Sequence, residues 1–346
     1  MTPIDLRSDT LTRPTQGMLE AMRTATAGDD SRDGDPTVVE LETVAARLTG
    51  KEAAAFMPSG TMTNLAAVLA HCPRGGEVIL ESSAHIMNTE LGGMSALGGL
   101  FPRPVQGVAG IMDAADVQAN IRQMTRNNMG TSLICVETSH NAAGGTVPGL
   151  SQLEGLHRLA TQHAIPVHID GARLFNAAVY LKTSPATIAA HCESVCFCIS
   201  KGLSAPIGSL LCGETGFIER TRAIRRMLGG SMRQAGSLAA AGLIAVDSMV
   251  ERLEEDHVNA RKLGVGLHAI EPRLVDLERV QTNIVRVEIS FSGRPAHFWA
   301  SALQAHGIRV SPAGQKALRF VTHRHVSSED IDTVLDAFRN VHRQCA

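Results

Sequence analysis

The sequence predicts an α/β protein in which a large unit with a mostly parallel sheet precedes a smaller α+β unit. Three observations support this fold class. Short segments alternate with segments of helical periodicity, the short segments are apolar almost throughout, and the 346 residues suffice for two cores. Strands that are apolar throughout are covered by helices on both faces, which is the arrangement of parallel sheets.

The helices of the large unit are predicted from apolar residues at helical spacing. One of them begins after Pro36 and ends at Gly50, because proline favours helix starts and glycine favours helix ends. The predicted helices cover residues 15–26, 37–50, 62–72 and 150–163. The predicted strands cover residues 53–57, 77–80, 132–137, 166–170, 194–200 and 209–213.

The C-terminal part contains shorter alternating elements and predicts the α+β unit. A long helical segment runs over residues 237–270. It is followed by strands at 282–289, 308–311 and 318–323 and by helices at 296–307 and 327–344. We therefore predict two domains, residues 1–250 and residues 251–346, with the boundary inside the long helix.

Charge and hydropathy exclude several classes of protein. The 32 Lys and Arg residues and 34 Asp and Glu residues give a net charge of −2, and no basic stripe that could bind nucleic acid recurs. No apolar segment reaches the length of a membrane span, and the N-terminal residues MTPIDLRSDT lack the apolar segment of a signal peptide. We predict a cytoplasmic protein without nucleic-acid or membrane partners.

The seven cysteines have two interpretations. Cys192, Cys196 and Cys198 could bind a metal ion together with His191, but their spacing fits no common zinc pattern. Buried free thiols in a reducing compartment are the favoured interpretation, and we predict no metal site.

Polar residues interrupt the apolar pattern where predicted strands end, which is where parallel sheets bind ligands. In MPSGTMTN (57–64), Ser59, Gly60 and Thr61 stand between a strand and a helix. Small residues at a helix N-terminus let backbone N–H groups approach an anion, and the two hydroxyls add donors. A plain helix N-cap is the alternative.

An aspartate and a lysine follow two further strands. Asp170 ends the strand of VHIDGARLFNA (167–177), where its carboxylate can bind a protonated ring nitrogen; a local ion pair with Arg173 is the alternative. Lys201 follows the strand of CFCISK (196–201) among apolar and glycine residues. Desolvation lowers the pKa of a lysine and makes it a nucleophilic amine suited to a Schiff base. A surface lysine is the alternative.

Two histidines also lie beyond strand ends. His85 follows the predicted strand 77–80, and His140 with Asn141 follows the strand 132–137. A single loop histidine is usually exposed or hydrogen-bonded, but two at equivalent positions indicate that at least one lines a cleft.

An anion site, an acid for a ring nitrogen and a Schiff-base lysine are the three attachments that pyridoxal 5′-phosphate requires. Their order along the chain, with the anion site first, the aspartate second and the lysine third, is typical of fold-type I pyridoxal-phosphate enzymes. The sequence therefore predicts this cofactor.

Seven segments resemble, in the same order, motifs of the threonine aldolase family, within the β-eliminating-lyase-like group of fold-type I enzymes. They are IDLRSDTLTRPT (4–15), GDD with DPTV (28–38), GKEAAAFMPSGTMTN (50–64), HIDGARLFNA (168–177), SKGLSAPIGSLL (200–211), GGSMRQAG (229–236) and LRFVTH (318–323). The resemblance covers nearly the whole chain. It implies the fold of aspartate aminotransferase, with a large cofactor-binding domain and a small C-terminal domain.

The resemblance implies a role toward the cofactor for each matching residue. Lys201 forms the Schiff base, Asp170 pairs with the pyridine nitrogen, and His85 stacks on the ring. The residues implied to hold the phosphate or to lie against the cofactor are Ser59, Gly60, Thr61, Ser200, Arg173 and, from a neighbouring subunit, Arg226. A homotetramer with shared active sites, a dimer of dimers, follows from the same resemblance.

Toward the substrate, the resemblance implies that Ser8, Arg173 and Arg319 bind an amino-acid carboxylate. His140 is implied to lie near the substrate hydroxyl. The implied reaction is a retro-aldol cleavage of L-β-hydroxy-α-amino acids, the class of L-threonine and L-allo-threonine, to glycine and an aldehyde. The candidate catalytic base is His85, His140 or a water molecule between them.

Three departures from the family motifs lie on the substrate side. Arg32 replaces a tyrosine, Asn88 and Thr89 stand where an aromatic residue and an acid are common, and Thr138 replaces an asparagine. Drift within a low-specificity aldolase explains them. The alternative is a specialised lyase or dehydratase of the same family, in which Arg32 faces the pocket and binds a polar or anionic β-hydroxy amino acid.

Overall fold

The computed structural model of the chain describes residues 3–30 and 32–345. The helices are α1 (Gln16–Thr24), α2 (Pro36–Thr49), α3 (Gly60–His71), α4 (His85–Asn88), α5 (Gly93–Ala96), α6 (Ala114–Asn120), α7 (Leu150–Gln162), α8 (Leu174–Leu181), α9 (Pro185–Ala189), α10 (Thr215–Met227), α11 (Gly236–Ser248), α12 (Leu253–Ile270), α13 (Ala296–Ala305) and α14 (Ser328–Cys345). The strands are β1 (Ile4–Asp5), β2 (Ala53–Met57), β3 (Glu77–Glu81), β4 (Phe101–Val105), β5 (Thr131–Glu137), β6 (Val167–Asp170), β7 (Ser194–Cys198), β8 (Ser209–Gly213), β9 (Ile284–Glu288), β10 (Ile308–Arg309), β11 (Ser311–Pro312) and β12 (Ala317–Val321).

Within the described residues, the large unit contains a seven-stranded sheet in the order β2-β8-β7-β6-β5-β3-β4. Strands β4, β3, β5, β6 and β7 pair in parallel, whereas β8 runs antiparallel to both of its neighbours. The prediction of an α/β fold with a mostly parallel sheet is confirmed. Because the parallel strands share one direction, their carboxyl ends meet along one edge of the sheet.

The sheet has an apolar core on each face. On β7, Val195 and Phe197 belong to one core and Cys196 belongs to the other, as expected for side chains that alternate along a strand. Helices α2, α7, α8 and α11 contribute to the first core, and α3 and α10 contribute to the second. Burial on both faces explains why strands β7 and β8 are apolar almost throughout.

The C-terminal unit contains, within the described residues, a three-stranded antiparallel sheet in the order β11-β12-β9. Its separate core includes Trp299 stacked on Phe338. Strand β1 pairs with β10, and Leu6 is part of the same core. The start of the chain thus packs with the C-terminal unit, although the predicted division places it with the large domain. The boundary at residue 250 stays a prediction.

The long helix predicted over residues 237–270 is interrupted at residues 249–252, between α11 and α12. Ala245 of α11 and Leu253 at the start of α12 are buried in the large core, whereas Leu263 further along α12 is buried in the C-terminal core. Helix α12 therefore begins in the large core and continues into the C-terminal one, and the turn before it allows this change of direction.

Strand β4 was not predicted because its sequence, FPRPV, contains Pro102 and Pro104. Proline cannot donate a hydrogen bond to a neighbouring strand, so it is found at the edges of sheets. In the structure, β4 is the edge strand beside β3, which is the position where these prolines are tolerated.

Six cysteines in the described part of the chain are free and buried, as the favoured interpretation predicts: Cys72, Cys135, Cys192, Cys196, Cys198 and Cys212. Burial raises the pKa of the Cys192 and Cys212 thiols to about 12, so these thiols stay protonated and unreactive. The side chain of Cys345 lies outside the described residues. No helix in residues 3–30 and 32–345 is long and apolar enough to cross a membrane.

Candidate active site

A cavity of about 380 Å³ lies where strands β2, β6 and β7 end. The predicted cofactor residues that line it are Ser59, Gly60, Thr61, His85, Asp170, Ser200 and Lys201. The other residues that line it are Thr10, Pro58, Asn64, Glu90, Ala172, Cys198, Pro206 and Ile207. The fold therefore brings together in one cavity the three polar segments that the sequence analysis singled out separately.

Lys201 stands in the turn after β7 and is half-buried in the wall of the cavity. Its carbonyl oxygen accepts hydrogen bonds from Thr12 Oγ1 at 2.7 Å and from the Ser204 N–H at 2.9 Å. These bonds fix the backbone of the turn and leave the amine accessible to a ligand in the cavity. A Schiff-base lysine requires this accessibility.

Asp170 ends β6 and is buried. Its Oδ2 accepts a hydrogen bond from Asn64 Nδ2 at 2.9 Å, and its Oδ1 accepts one from the Ala172 N–H at 3.2 Å. The alternative of a local ion pair with Arg173 is wrong, because Arg173 pairs with Asp9. Asp170 thus presents a buried carboxylate to the cavity that Lys201 also lines.

The N-terminus of the twelve-residue helix α3 forms another part of the cavity wall. Ser59 Oγ accepts a hydrogen bond from the Met62 N–H at 3.2 Å, so this hydroxyl caps the helix as the alternative proposes. A Cβ atom at Gly60 would lie 2.8 Å from Cys198 Sγ, which explains the glycine. The helix N-terminus and the hydroxyls of Thr61 and Ser200 form a donor set suited to a phosphate group.

His85 begins α4 and is half-buried beside the cavity. Its backbone N–H donates to Glu137 Oε2 at 2.7 Å, and its ring Nδ1 is 2.9 Å from Glu90 Oε1. The hydrogen bond to Glu90 raises the pKa of His85 against the burial that lowers it. Because the carboxylate holds a proton on Nδ1, the unprotonated ring nitrogen of the neutral imidazole is Nε2.

Glu90 is not among the residues predicted from the sequence. The family motif places an acid near Asn88 and Thr89, where this chain has none, and in the structure the next residue supplies the carboxyl group. Glu90 is buried, lines the cavity and contacts His85, and burial raises its pKa. The acid expected from the family motif is therefore present one residue further along.

His140 is not among the residues that line the cavity, although the sequence analysis assigns it to catalysis and to the substrate hydroxyl. Its side chain is fully buried, with Nε2 3.1 Å from Glu81 Oε2 and 3.7 Å from Glu137 Oε2. Its Nδ1 accepts a hydrogen bond from the Ala143 N–H at 3.3 Å. Both ring nitrogens of His140 are thus occupied, and it connects to the cavity through Glu137, which accepts the N–H of His85.

Arg173 is held by a buried ion pair. Its Nε and Nη2 donate to Asp9 Oδ2 and Oδ1 at 2.7 and 2.8 Å, and Asn283 Nδ2 donates to Asp9 Oδ2 at 3.1 Å. Burial opposes ionisation of Asp9, but Arg173 outweighs it and holds the pKa of Asp9 well below its usual range. The guanidinium of Arg173 is therefore fixed in position, and the sequence analysis missed the aspartate that fixes it.

Arg319 and Arg173 converge on Asn141. The Oδ1 atom of Asn141 accepts a hydrogen bond from Arg319 Nη1 at 2.9 Å and lies 3.5 Å from Arg173 Nη1. Two guanidinium groups and the carboxylate of Asp9 leave one net positive charge, which matches a single carboxylate ligand. Ser8, the third residue predicted to bind that carboxylate, caps a short turn by accepting from the Thr10 N–H at 3.2 Å.

Arg32 and Arg226 do not reach the cavity of their own chain. The Arg32 side chain is 78% exposed, and its Nε is 3.8 Å from Asp29 Oδ2. Arg226 is exposed in the last turn of α10. A role for either residue at an active site therefore requires a neighbouring subunit, which the resemblance implies for Arg226.

The residues of the cavity fit pyridoxal 5′-phosphate. Gly60 leaves room beside Cys198 at the N-terminus of α3, where hydroxyl and backbone donors suit the phosphate. Asp170 supplies a buried anion for the ring nitrogen, and Lys201 supplies the amine. An anion site, an acid and an amine in one cavity define the class of pyridoxal-phosphate-dependent enzymes.

Comparison with known proteins agrees with this class and narrows it. The β-eliminating lyase family matches residues 5–290. Low-specificity L-threonine aldolase 1 of Arabidopsis thaliana is 39% identical, with 98% of this chain and 96% of the relative covered. The low-specificity L-threonine aldolase of Escherichia coli K12 is also 39% identical, with 97% and 98% covered. The chain therefore belongs to the threonine aldolase family of the β-eliminating lyases.

Solved structures confirm the fold-type I architecture. The threonine aldolase of Leishmania major superposes with a TM-score of 0.83 at 17% identity, covering 98% of this chain and 100% of the other. A lysine-to-alanine variant of serine palmitoyltransferase of S. paucimobilis, solved with a bound aldimine of pyridoxal phosphate and myriocin, has a TM-score of 0.78 at 19% identity, with 99% and 88% covered. The aspartate-aminotransferase-like fold predicted from the sequence is confirmed, and the match to the β-eliminating lyase family supports the predicted pyridoxal 5′-phosphate cofactor.

Proposed function

We propose that this chain is a pyridoxal-phosphate-dependent aldehyde-lyase that cleaves L-β-hydroxy-α-amino acids of the L-threonine class to glycine and an aldehyde. The observation that carries the proposal is the single cavity that Lys201, Asp170, His85 and the hydroxyls at the start of α3 line together. The activity of relatives at 39% identity over nearly the whole chain supports the same reaction.

The cofactor is held at three points in this proposal. Lys201 would supply the amine for its aldehyde group, Asp170 would be the partner of its ring nitrogen, and the start of α3 with Ser200 would hold its phosphate. When bound, pyridoxal phosphate supplies an electron-accepting ring for the electron pair released from the bond between Cα and Cβ. A carboxylate side chain at this position would favour the protonated form of the ring nitrogen beside it.

The substrate carboxylate binds to the guanidinium groups of Arg319 and Arg173 in this proposal. Both already direct N–H groups at one acceptor, the Oδ1 atom of Asn141. A carboxylate offers two acceptor oxygens for the same N–H groups. Asp9 fixes Arg173 before the substrate arrives, so less conformational entropy is lost on binding.

His85 is the best-placed base for the proton of the substrate hydroxyl. It lines the cavity, and Glu90 holds a proton on its Nδ1, so that Nε2 can accept another. His140 lacks these properties, because it is fully buried and both of its ring nitrogens have partners. We therefore assign to His140 a structural role, in which its ring packs beside the carboxyl group of Glu137.

A homotetramer with shared active sites remains part of the proposal. Arg226 and the neighbouring Met227 are exposed at the end of α10, with Met227 70% exposed. A basic and an apolar side chain side by side suit an interface in which a second copy receives a phosphate contact. The six buried thiols support a reducing compartment such as the cytoplasm.

The test of the proposed function is product analysis. The purified protein with added pyridoxal phosphate is incubated with L-threonine, L-allo-threonine, phenylserine and 3-hydroxyaspartate. Glycine with an aldehyde supports the proposal, whereas ammonia with a keto acid establishes the dehydratase alternative instead. Arg32→Ala is assayed in parallel, and an unchanged order of substrate preference would reject a substrate contact by Arg32.

Replacing Glu90 by glutamine is expected to move the acidic limb of the kcat profile toward lower pH. The physical reason is that His85 accepts a proton only above its pKa, and Glu90 raises that pKa. A neutral amide in place of Glu90 removes this increase in the pKa of His85, so His85 stays unprotonated down to a lower pH. The measurement is kcat for L-threonine between acid and neutral pH.

The matched control for this prediction is Glu193→Gln. Glu193 Oε1 also bonds to a histidine, His157 Nε2, at 3.1 Å, but neither residue lines the cavity. Its profile should coincide with that of the wild type. An unchanged acidic limb in Glu90→Gln would show that His85 is not the base.

Replacing Arg319 by lysine is expected to raise KM for L-threonine roughly 10- to 100-fold with a smaller change in kcat. The lysine keeps the charge but loses the planar pair of donors that a carboxylate binds. Arg273→Lys is the control, since Arg273 pairs with Glu271 at 2.8 Å on the C-terminal unit and its replacement should keep KM within about 2-fold. Equal KM values for Arg319→Lys and the wild type would remove Arg319 from the binding site.

A further inference from the structure

A single buried amide joins the two acids of the cavity. Asn64 Nδ2 donates to Asp170 Oδ2 at 2.9 Å and to Glu90 Oε1 at 2.8 Å. Asn64 is 2% exposed and lies on α3. We propose that Asn64 is a positioning residue that keeps Asp170 available to the ring nitrogen and Glu90 available to His85. The inference rests on the proposed function for the position of the cofactor ring.

The orientation of this amide follows from its partners. Because Nδ2 donates to two carboxyl groups, Oδ1 must accept, and it lies 3.3 Å from both His168 Nε2 and Cys196 Sγ. Behind His168, Ser194 Oγ is 2.9 Å from His168 Nδ1 and 2.7 Å from His71 Nε2. A continuous row of hydrogen bonds thus runs from His71 at the end of α3 to Asp170 and fixes the amide.

The histidines in this row carry no charge at neutral pH. Burial lowers the pKa of His168 to about 4 and that of His71 to about 3. A neutral His168 with a proton on Nε2 donates to Asn64, and its Nδ1 accepts from Ser194. The row therefore holds the amide in place without adding a positive charge that would compete with the ring nitrogen for Asp170.

Glu90 and Asp170 lie close together, which explains why a hydrogen-bond donor between them matters. A ring nitrogen of His85 and one carboxyl oxygen each of Glu90 and Asp170 lie within 4.8 Å of one another, and both carboxyl groups are buried. Like-charged carboxylates this close tend to share a proton. A proton on Glu90 would let it donate to His85 Nδ1, and a proton on Asp170 would remove the anion from the ring nitrogen.

The experiment compares Asn64→Ala and Asn64→Asp with the wild type. The dissociation constant of pyridoxal phosphate is measured by dialysis, and the visible band of the bound cofactor is recorded without substrate. Asn64→Ala should raise the dissociation constant roughly 10- to 100-fold and shift the band. Asn64→Asp should raise the dissociation constant further, because it places a third carboxylate beside the two of Asp170 and Glu90. KM for L-threonine should stay within about 3-fold, since the arginines are unchanged.

Asn176→Ala is the matched control. Asn176 is equally buried and its Nδ2 is 3.1 Å from a histidine nitrogen, His257 Nε2, but it contacts neither acid. It should lose thermal stability while holding pyridoxal phosphate within about 2-fold of the wild type. If Asn64→Ala does not fold, Asn64→Ser, which keeps one donor, replaces it with an expected loss of about 3- to 10-fold.

Two results would overturn the inference. One is a folded Asn64→Ala or Asn64→Ser variant with wild-type cofactor affinity and an unchanged visible band. The other is an equal loss of cofactor affinity in Asn176→Ala, which would indicate general destabilisation. Because cofactor binding is measured without substrate, either result is distinct from a failure of the proposed aldol cleavage.

Discussion

Lys201→Ala is expected to abolish turnover of L-threonine and to remove the visible absorption band of the lysine-bound cofactor. Lys201 is the only lysine among the residues that line the cavity in the described part of the chain, so no other amine there can form the covalent bond. Loss of a nucleophile on which the whole reaction depends lowers kcat by roughly 10³- to 10⁶-fold. The measurements are the absorption spectrum of the purified protein and the rate of glycine formation.

The control for this prediction is Lys316→Ala. Lys316 is exposed on the C-terminal unit, and its replacement should leave the band and the rate unchanged. Non-covalent cofactor can still occupy Lys201→Ala, because the phosphate and ring-nitrogen contacts remain. A persistent band with full turnover in Lys201→Ala would show that another residue bonds to the cofactor.

Asp170→Asn is expected to lower kcat roughly 10²- to 10³-fold while retaining much of the bound cofactor. The amide has nearly the shape of the carboxylate, so the cavity persists. It carries no charge, however, and a neutral partner no longer stabilises the protonated ring nitrogen that draws electrons from the substrate. The measurements are kcat and the cofactor content of the purified variant.

Two comparisons separate charge from shape in this prediction. Asp170→Glu keeps the negative charge and should recover part of the activity that Asp170→Asn loses. Asn64 would face an amide in Asp170→Asn in place of the carboxylate that now accepts its Nδ2 proton, so thermal unfolding is measured in parallel. Wild-type kcat in a folded Asp170→Asn would refute the role of Asp170 at the ring nitrogen.

The residues proposed to bind the cofactor could be predicted to line one cavity because each stands in a short, locally recognisable segment. Ser59, Gly60 and Thr61 lie between a strand and a helix, and Asp170 and Lys201 each follow a buried strand. Parallel strands place their carboxyl ends at one edge of the sheet, and this does not depend on the conformation of the loops that connect them. Cofactor chemistry could thus be inferred before any distance was known.

The partners of these residues could not be predicted in the same way. Asn64 is 106 residues from Asp170, and Asp9 is 164 residues from Arg173. Neither pair has a sequence spacing that indicates contact, since the packing of α3 on the sheet and of the N-terminal segment on the cavity decides both. His140 illustrates the converse, because its position after a strand suggested a cleft but the fold buries its ring beside Glu81.

The sequence by itself was sufficient to predict the fold class and the cofactor, and to propose the lysine and the acid that would bind it. Apolar periodicity fixes which segments form strands and helices, and the polar residues at strand ends are then exposed at one edge. Only the tertiary structure decided which histidine faces the cavity, which acid holds it and which aspartate fixes Arg173. These choices depend on hydrogen bonds between residues distant in the chain, and such bonds form only when the packed core has set the distances.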